Sequence, residues 1–125
     1  MLGSWCFHEM RLNHLNLTVT SVPDAHAFLE KYFGLRSMGG GSEQMAGLFD
    51  DNGLSLVLMT AGRSREVAYP ASFHLGFMQE SEEQVNAINQ RLKDDGFAVP
   101  PPRRLHGMWT FYFEAPGGFT IEVGR

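Results

Sequence analysis

Residues 12–19 read LNHLNLTV, and apolar and polar positions alternate, with Leu15, Leu17 and Val19 on one side and His14, Asn16 and Thr18 on the other. A period of two predicts a half-buried strand. Ser21-Val22-Pro23-Asp24 then opens a segment in which Ala25, Phe28, Leu29, Tyr32 and Phe33 recur at steps of three and four. That stripe predicts a helix, with Gly34 as its stop. His26 falls off the stripe and is expected in solvent. The same order returns in the second half. Residues 72–78 oppose Phe73, Leu75 and Phe77 to His74, Gly76 and Met78, and Ser81-Glu82-Glu83-Gln84 fits a capping box ahead of the stripe Val85, Ile88 and Leu92, which Gly96 ends. From His14 to Gly34 is 20 residues and from His74 to Gly96 is 22, so the halves form an internal repeat.

Each helix is followed by strand-like pieces around turn residues: 44–49, Asp51-Asn52-Gly53 and 54–59 in the first half, 108–114, Pro116-Gly117-Gly118 and 119–123 in the second. Shorter strands near 36–38 and 97–99 complete each unit. The reading is βαβββ twice, an α+β chain of two modules at about 10–60 and 70–125 in a single domain spanning 10–125. Residues 1–9 read as an N-terminal extension. Gly39-Gly40-Gly41, residues 60–70, and Pro100-Pro101-Pro102 with Arg103 and Arg104 read as irregular connections.

At 125 residues and 43% hydrophobic, the chain can bury one core without a disulfide or structural metal, so any metal would serve function. Ten Lys and Arg against fourteen Asp and Glu give a net charge of −4, the wrong field for neutralising phosphates, and no nucleic-acid partner is expected. Cys6 is the single cysteine, the start carries no cationic leader pattern, and no apolar run approaches a membrane span. A cytoplasmic protein without a membrane partner is the expectation.

Strand parity brings out the chemistry. Phe119, Ile121 and Val123 share one face of the last strand, leaving Thr120 and Glu122 on the other, and that second face matches His14 and His74. Two imidazoles and a carboxylate suit a divalent transition metal with open coordination positions. A strand histidine is more often simply hydrogen-bonded or exposed, but Glu122 amid such apolar neighbours needs a cation, a donor or solvent. Tyr112 shares the predicted face of Glu122, as do Met108 and Thr110; its phenol is a candidate partner for a substrate oxygen, or else a packed strand tyrosine. His106, in the loop before that strand, is a candidate acid or base. Asn16 and Thr18 share the face of His14. Arg63, Arg65, Arg103 and Arg104 read as solvated loop residues.

Leu12-Asn13-His14-Leu15, the helix end Phe33-Gly34-Leu35, Phe73-His74-Leu75-Gly76-Phe77, and the run from Phe111 to Glu122 (FYFEAPGGFTIE) resemble the vicinal oxygen chelate superfamily. That group includes glyoxalase I, fosfomycin-resistance transferases, extradiol dioxygenases and bleomycin-resistance proteins. The resemblance covers Met10 to Arg125 and implies an α+β fold of two βαβββ modules forming a cupped mixed sheet around a metal site, often in a homodimer, with His14, His74 and Glu122 at the positions of the metal ligands and Tyr112 at a substrate-binding tyrosine. Repeat alignment of Gly53-Leu54-Ser55-Leu56-Val57-Leu58 with Gly118-Phe119-Thr120-Ile121-Glu122-Val123 puts Val57 where glyoxalase I has a fourth ligand, a departure toward the three-ligand plan. The leading expectation is a glyoxalase-like enzyme dependent on Fe2+, Mn2+, Ni2+ or Zn2+. It would chelate vicinal oxygens of a small substrate, with lyase, dioxygenase, isomerase and transferase chemistry all open. The alternative is a metal-free, bleomycin-resistance-like protein that stacks a planar ligand on Trp109, Phe111 and Tyr112.

Overall fold

The computed structural model describes residues 10–63 and 66–125. The expected extension at 1–9, with Cys6, and the loop residue Arg65 lie outside the described residues. In the first half, β1 (His14–Val19) is followed by α1 (Val22–Phe33), β2 (Arg36–Ser37), β3 (Met45–Phe49) and β4 (Ser55–Thr60); in the second, β5 (His74–Met78) leads to α2 (Glu82–Asp94), β6 (Arg103–Leu105), β7 (Met108–Ala115) and β8 (Phe119–Gly124). The sheets are ordered β1-β4-β3-β2 and β5-β8-β7-β6. The β1/β4 and β5/β8 pairs are parallel and the remaining pairs antiparallel. Two βαβββ modules thus make the α+β architecture that the repeat predicts.

Both helices begin where their caps dictate. Ser21 Oγ accepts the Asp24 N–H at 3.3 Å, Pro23 sits in the first turn where its missing N–H costs nothing, and Gly34 ends α1 in the left-handed region at φ 67°. Ser81 Oγ accepts the Gln84 N–H at 3.2 Å, while Gln84 reaches back to the N–H of Glu80 at 2.8 Å.

Two local expectations are corrected. The strand expected at 97–99 forms instead at Arg103–Leu105. Phe97 gives its N–H to Leu92 and packs its ring on Phe28, Asn89 Nδ2 donates to the Pro100 carbonyl at 2.7 Å, and three prolines have no N–H to offer a ladder until Arg103. Arg103 and Arg104 are therefore strand residues. His26, expected in solvent, lies 3.2 Å from both Glu30 Oε1 and Ser37 Oγ and clasps α1 to β2.

One core joins the modules. Leu17, Val19, Leu48, Leu56 and Leu58 from the first sheet and Phe111, Phe113, Ile121 and Val123 from the second belong to one buried cluster, with Phe28, Leu29, Val85 and Leu92 from the helices. Phe28 meets Phe97 at 5.2 Å and Phe113 at 5.9 Å, and Phe33 stacks on Phe77 at 4.3 Å, so α1 is an aromatic bridge to the second sheet. The Thr20 N–H donates to the Gly117 carbonyl at 2.9 Å across the modules. Gly117 has φ 117°, and a Cβ there would fall 3.0 Å from the Phe119 ring and 3.2 Å from Ala25. Because both sheets turn their apolar faces inward, the faces bearing His14 and His74 point out of the core. Among the described residues no helix is long and apolar enough to cross a membrane.

Candidate metal centre

Register assembles the site on the second sheet. His74 pairs with Thr120 and Gly76 with Glu122 between β5 and β8, while Tyr112 pairs with Glu122 and Thr110 with Gly124 between β7 and β8. His74, Thr110, Tyr112 and Glu122 therefore share the outward face, as parity requires. His74 Nδ1 lies 2.9 Å from the Ser72 carbonyl, which can only accept, so Nδ1 carries a proton there and Nε2 is the nitrogen turned to the site. Nε2 faces Glu122 Oε1 at 3.3 Å. Two acceptors so close repel unless a cation joins them, either a proton on Nε2 or a metal ion.

Glu122 is 8% exposed, a carboxylate almost wholly out of water. The buried Thr110 hydroxyl lies 2.8 Å from its Oε2 and 3.0 Å from the Val123 carbonyl. The Tyr112 ring stands edge-on to the His74 ring, centroids 5.2 Å apart. Burial first, then the hydrogen bond to Glu122 and the carboxylate's negative charge, raise the Tyr112 pKa above the ordinary phenol value, so the phenol is a neutral donor at physiological pH. A groove of about 490 Å³ lies alongside, lined among others by Leu15, Phe33, Leu56, Phe77, Asp51 and His74.

His14 stands on the other sheet, with Nδ1 2.8 Å from Asn13 Oδ1. Its register reproduces that of His74: His14 pairs with Ser55 and Asn16 with Val57, as His74 pairs with Thr120 and Gly76 with Glu122. Val57 is the counterpart of Glu122, and the first module offers no carboxylate there. Among the described residues no three of His, Cys, Asp and Glu converge within one chain. The structure thus joins His74 and Glu122 and leaves His14 apart. The nitrogen and oxygen donors of the joined pair are those expected of an Fe2+, Mn2+, Ni2+ or Zn2+ site.

Other candidates fall elsewhere. His106 has φ 51° and Gly107 φ 79°, forming the two-residue tip of the β6–β7 hairpin, and exposed His106 does not join the cluster. Asn16 Nδ2 lies 3.0 Å from Met59 Sδ. Phe111 is 2% exposed in the core, and Trp109 donates to Asn86 of α2 at 2.8 Å beneath the Arg104 guanidinium. The aromatic trio expected of a stacking cleft is therefore split, with only Tyr112 on the site face. Thr110 was placed on that face by parity, but its bond to Glu122 has no signal in the sequence. Arg103 pairs with Thr110 and so faces the site from β6, a position hidden while its strand was unrecognised.

A family model described as the Glyoxalase/Bleomycin resistance protein/Dioxygenase superfamily matches residues 11–123. Among solved structures, one from Bacillus cereus described as a possible glyoxalase is 56% identical, with a TM-score of 0.85, covering 93% of this chain and 99% of its own. The fold is also similar to lactoylglutathione lyase from Agrobacterium tumefaciens, at 19% identity, TM-score 0.73 and 94% of each chain, and to the oxidase ChaP-H2, at 20% identity, TM-score 0.72 and 94% of each chain. No curated protein matches. A family match over nearly the whole chain, on a fold of paired βαβββ modules, makes the protein a member of the glyoxalase/bleomycin resistance protein/dioxygenase superfamily.

Proposed function

We propose that the protein is a glyoxalase-like, divalent-metal-dependent enzyme that chelates vicinal oxygens of a small substrate. Its metal would be held by His74, Glu122 and the His14 of a second copy. The observation that carries this reading is His74 Nε2 set 3.3 Å from the buried carboxylate of Glu122, with Nδ1 engaged by the Ser72 carbonyl. A metal there supplies a Lewis acid to the substrate oxygens. With Glu122 taken up by the metal, Tyr112 would keep its proton and turn its hydrogen bond from that carboxylate to a substrate oxygen, and Val57 leaves the fourth corner without a carboxylate. Lyase, isomerase, transferase and dioxygenase chemistry all share this chelating step.

The second copy is proposed because His14 does not reach His74 within one chain. The outward faces also expose Met45, 51%, and Met59, 39%, on the first sheet and Met78, 57%, on the second, apolar surface that a partner would cover. The separation of Trp109 and Phe111 from Tyr112 removes support for the metal-free stacking protein. The single cysteine fits a reducing compartment, and the cytoplasm is the proposed location.

Protein purified without chelator should contain metal or take it up in calorimetric titration with Fe2+, Mn2+, Ni2+ or Zn2+. His74→Ala and Glu122→Gln should each abolish tight binding. Failure of the wild-type protein to bind any of the four ions overturns the reading.

A further inference from the structure

A carboxylate that is 8% exposed needs donors, and the Thr110 hydroxyl supplies one to Oε2. Thr110 is 1% exposed and lies beside Glu122 in a well-paired ladder, where its branched side chain has little freedom about χ1. Its single proton has two acceptors in reach, the Glu122 carboxylate at 2.8 Å and the Val123 carbonyl at 3.0 Å. The charged, nearer oxygen is the stronger acceptor. With Oε2 so held, Oε1 is the oxygen turned to His74.

Two further observations support this pairing. Gly124 lies opposite Thr110 in the ladder, and a Cβ there would fall 3.2 Å from the Thr110 hydroxyl oxygen, so the missing side chain leaves room for that hydroxyl. The internal repeat supplies a comparison within the molecule. Met45 pairs with Met59 and Gly47 with Val57 in the first module, as Thr110 pairs with Gly124 and Tyr112 with Glu122 in the second. Met45 thus occupies the place of Thr110 and Val57 that of Glu122. The module that lacks the carboxylate also lacks the hydroxyl.

We propose that Thr110 is a positioning residue, whose buried hydroxyl donates to Glu122 Oε2 and fixes the carboxylate with Oε1 presented beside His74 Nε2. Resting on the metal-centre reading above, the inference adds that metal affinity is set partly by a residue that never touches the metal.

The test is calorimetric affinity for Mn2+ and Zn2+ in the full chain, with thermal unfolding of each variant in parallel. Thr110→Val keeps the shape and removes the hydroxyl, and should weaken binding by about 10- to 100-fold, the usual effect of losing a partner that orients a metal ligand. Thr110→Ser should retain wild-type affinity to within roughly threefold of that scale. If Thr110→Val does not fold, Thr110→Ala removes the same hydroxyl without overfilling the site. Unchanged affinity in the hydroxyl-deleted variant, or equal loss in Thr110→Ser, each overturns the positioning role while leaving the metal centre standing. A wild-type chain that binds neither ion overturns both.

Discussion

Placing a carboxylate among Phe119, Ile121 and Val123 costs several kcal/mol unless donors or a cation meet it, and each neighbour of Glu122 answers part of that cost. Thr110 holds one oxygen and the other faces His74, with Tyr112 standing over the ring. The same negative charge, after burial, holds the Tyr112 proton, which makes the phenol a probe of the site. In alkaline titration of the metal-free protein followed by ultraviolet absorbance, Tyr112 should ionise above the ordinary phenol value of about 10. Subtracting the titration of Tyr112→Phe isolates its step. Glu122→Gln should move that step down toward the ordinary value without reaching it, since burial, the larger cause, persists; an unmoved step would show that the two groups do not interact. The folded chain binds this proton more tightly than the unfolded chain, so the associated stability is complete below pH 10 and is lost as pH rises through the folded-state value.

At the scale of elements, the parallel pair of β5 and β8 does the positioning and the helices hold the pair in place. A slip of one residue in that register would turn Glu122 into the core and Ile121 outward, exchanging a satisfied carboxylate for a buried, unpaired one. The register is pinned by the apolar face it buries. Phe28 is the hinge of that burial, since its ring on α1 touches Phe97 and Phe113 of the other module. Phe28→Ala should cost about 3–5 kcal/mol, as large aromatic deletions in close-packed cores do. Denaturant unfolding measures it as a lowered midpoint. A loss under about 1 kcal/mol would mean that the modules are held together by other contacts.

At the scale of the molecule, packing both sheets on one core leaves two outward faces, each with part of the proposed ligand set, and β1 and β5 each paired on one side only. A second copy can cover both and complete the site through an interface near the standard size of about 1,600 Å². Sedimentation at micromolar concentration should show a dimer, and a clean species of 14.0 kDa would contradict it. Mixing His14→Ala with Glu122→Ala chains tests the sharing directly. Metal binding should return in the heterodimer, where one of the two sites has every proposed ligand intact; none, despite proven exchange, would overturn the sharing of His14 between chains.

The alternation in residues 12–19 and 72–78 and the stripes that follow determined the modules, because hydrophobic period reports which face of each segment leaves water. Parity likewise put Tyr112, Thr110 and Glu122 on one face, repeat alignment made Val57 the counterpart of the carboxylate, and the register agrees at each position. Period carries no distance. It could not say that three prolines would delay β6 to Arg103, that Glu30 and Ser37 would engage His26, or that Phe111 and Trp109 would be taken into packing away from Tyr112. Above all it could not say which of the candidate ligands meet. His14 and His74 occupy matching places in two repeats, but the sharing of one core by both modules turns their faces outward and joins only His74 to Glu122. That outcome belongs to packing between residues far apart in the chain, where shape and volume decide and local pattern is silent.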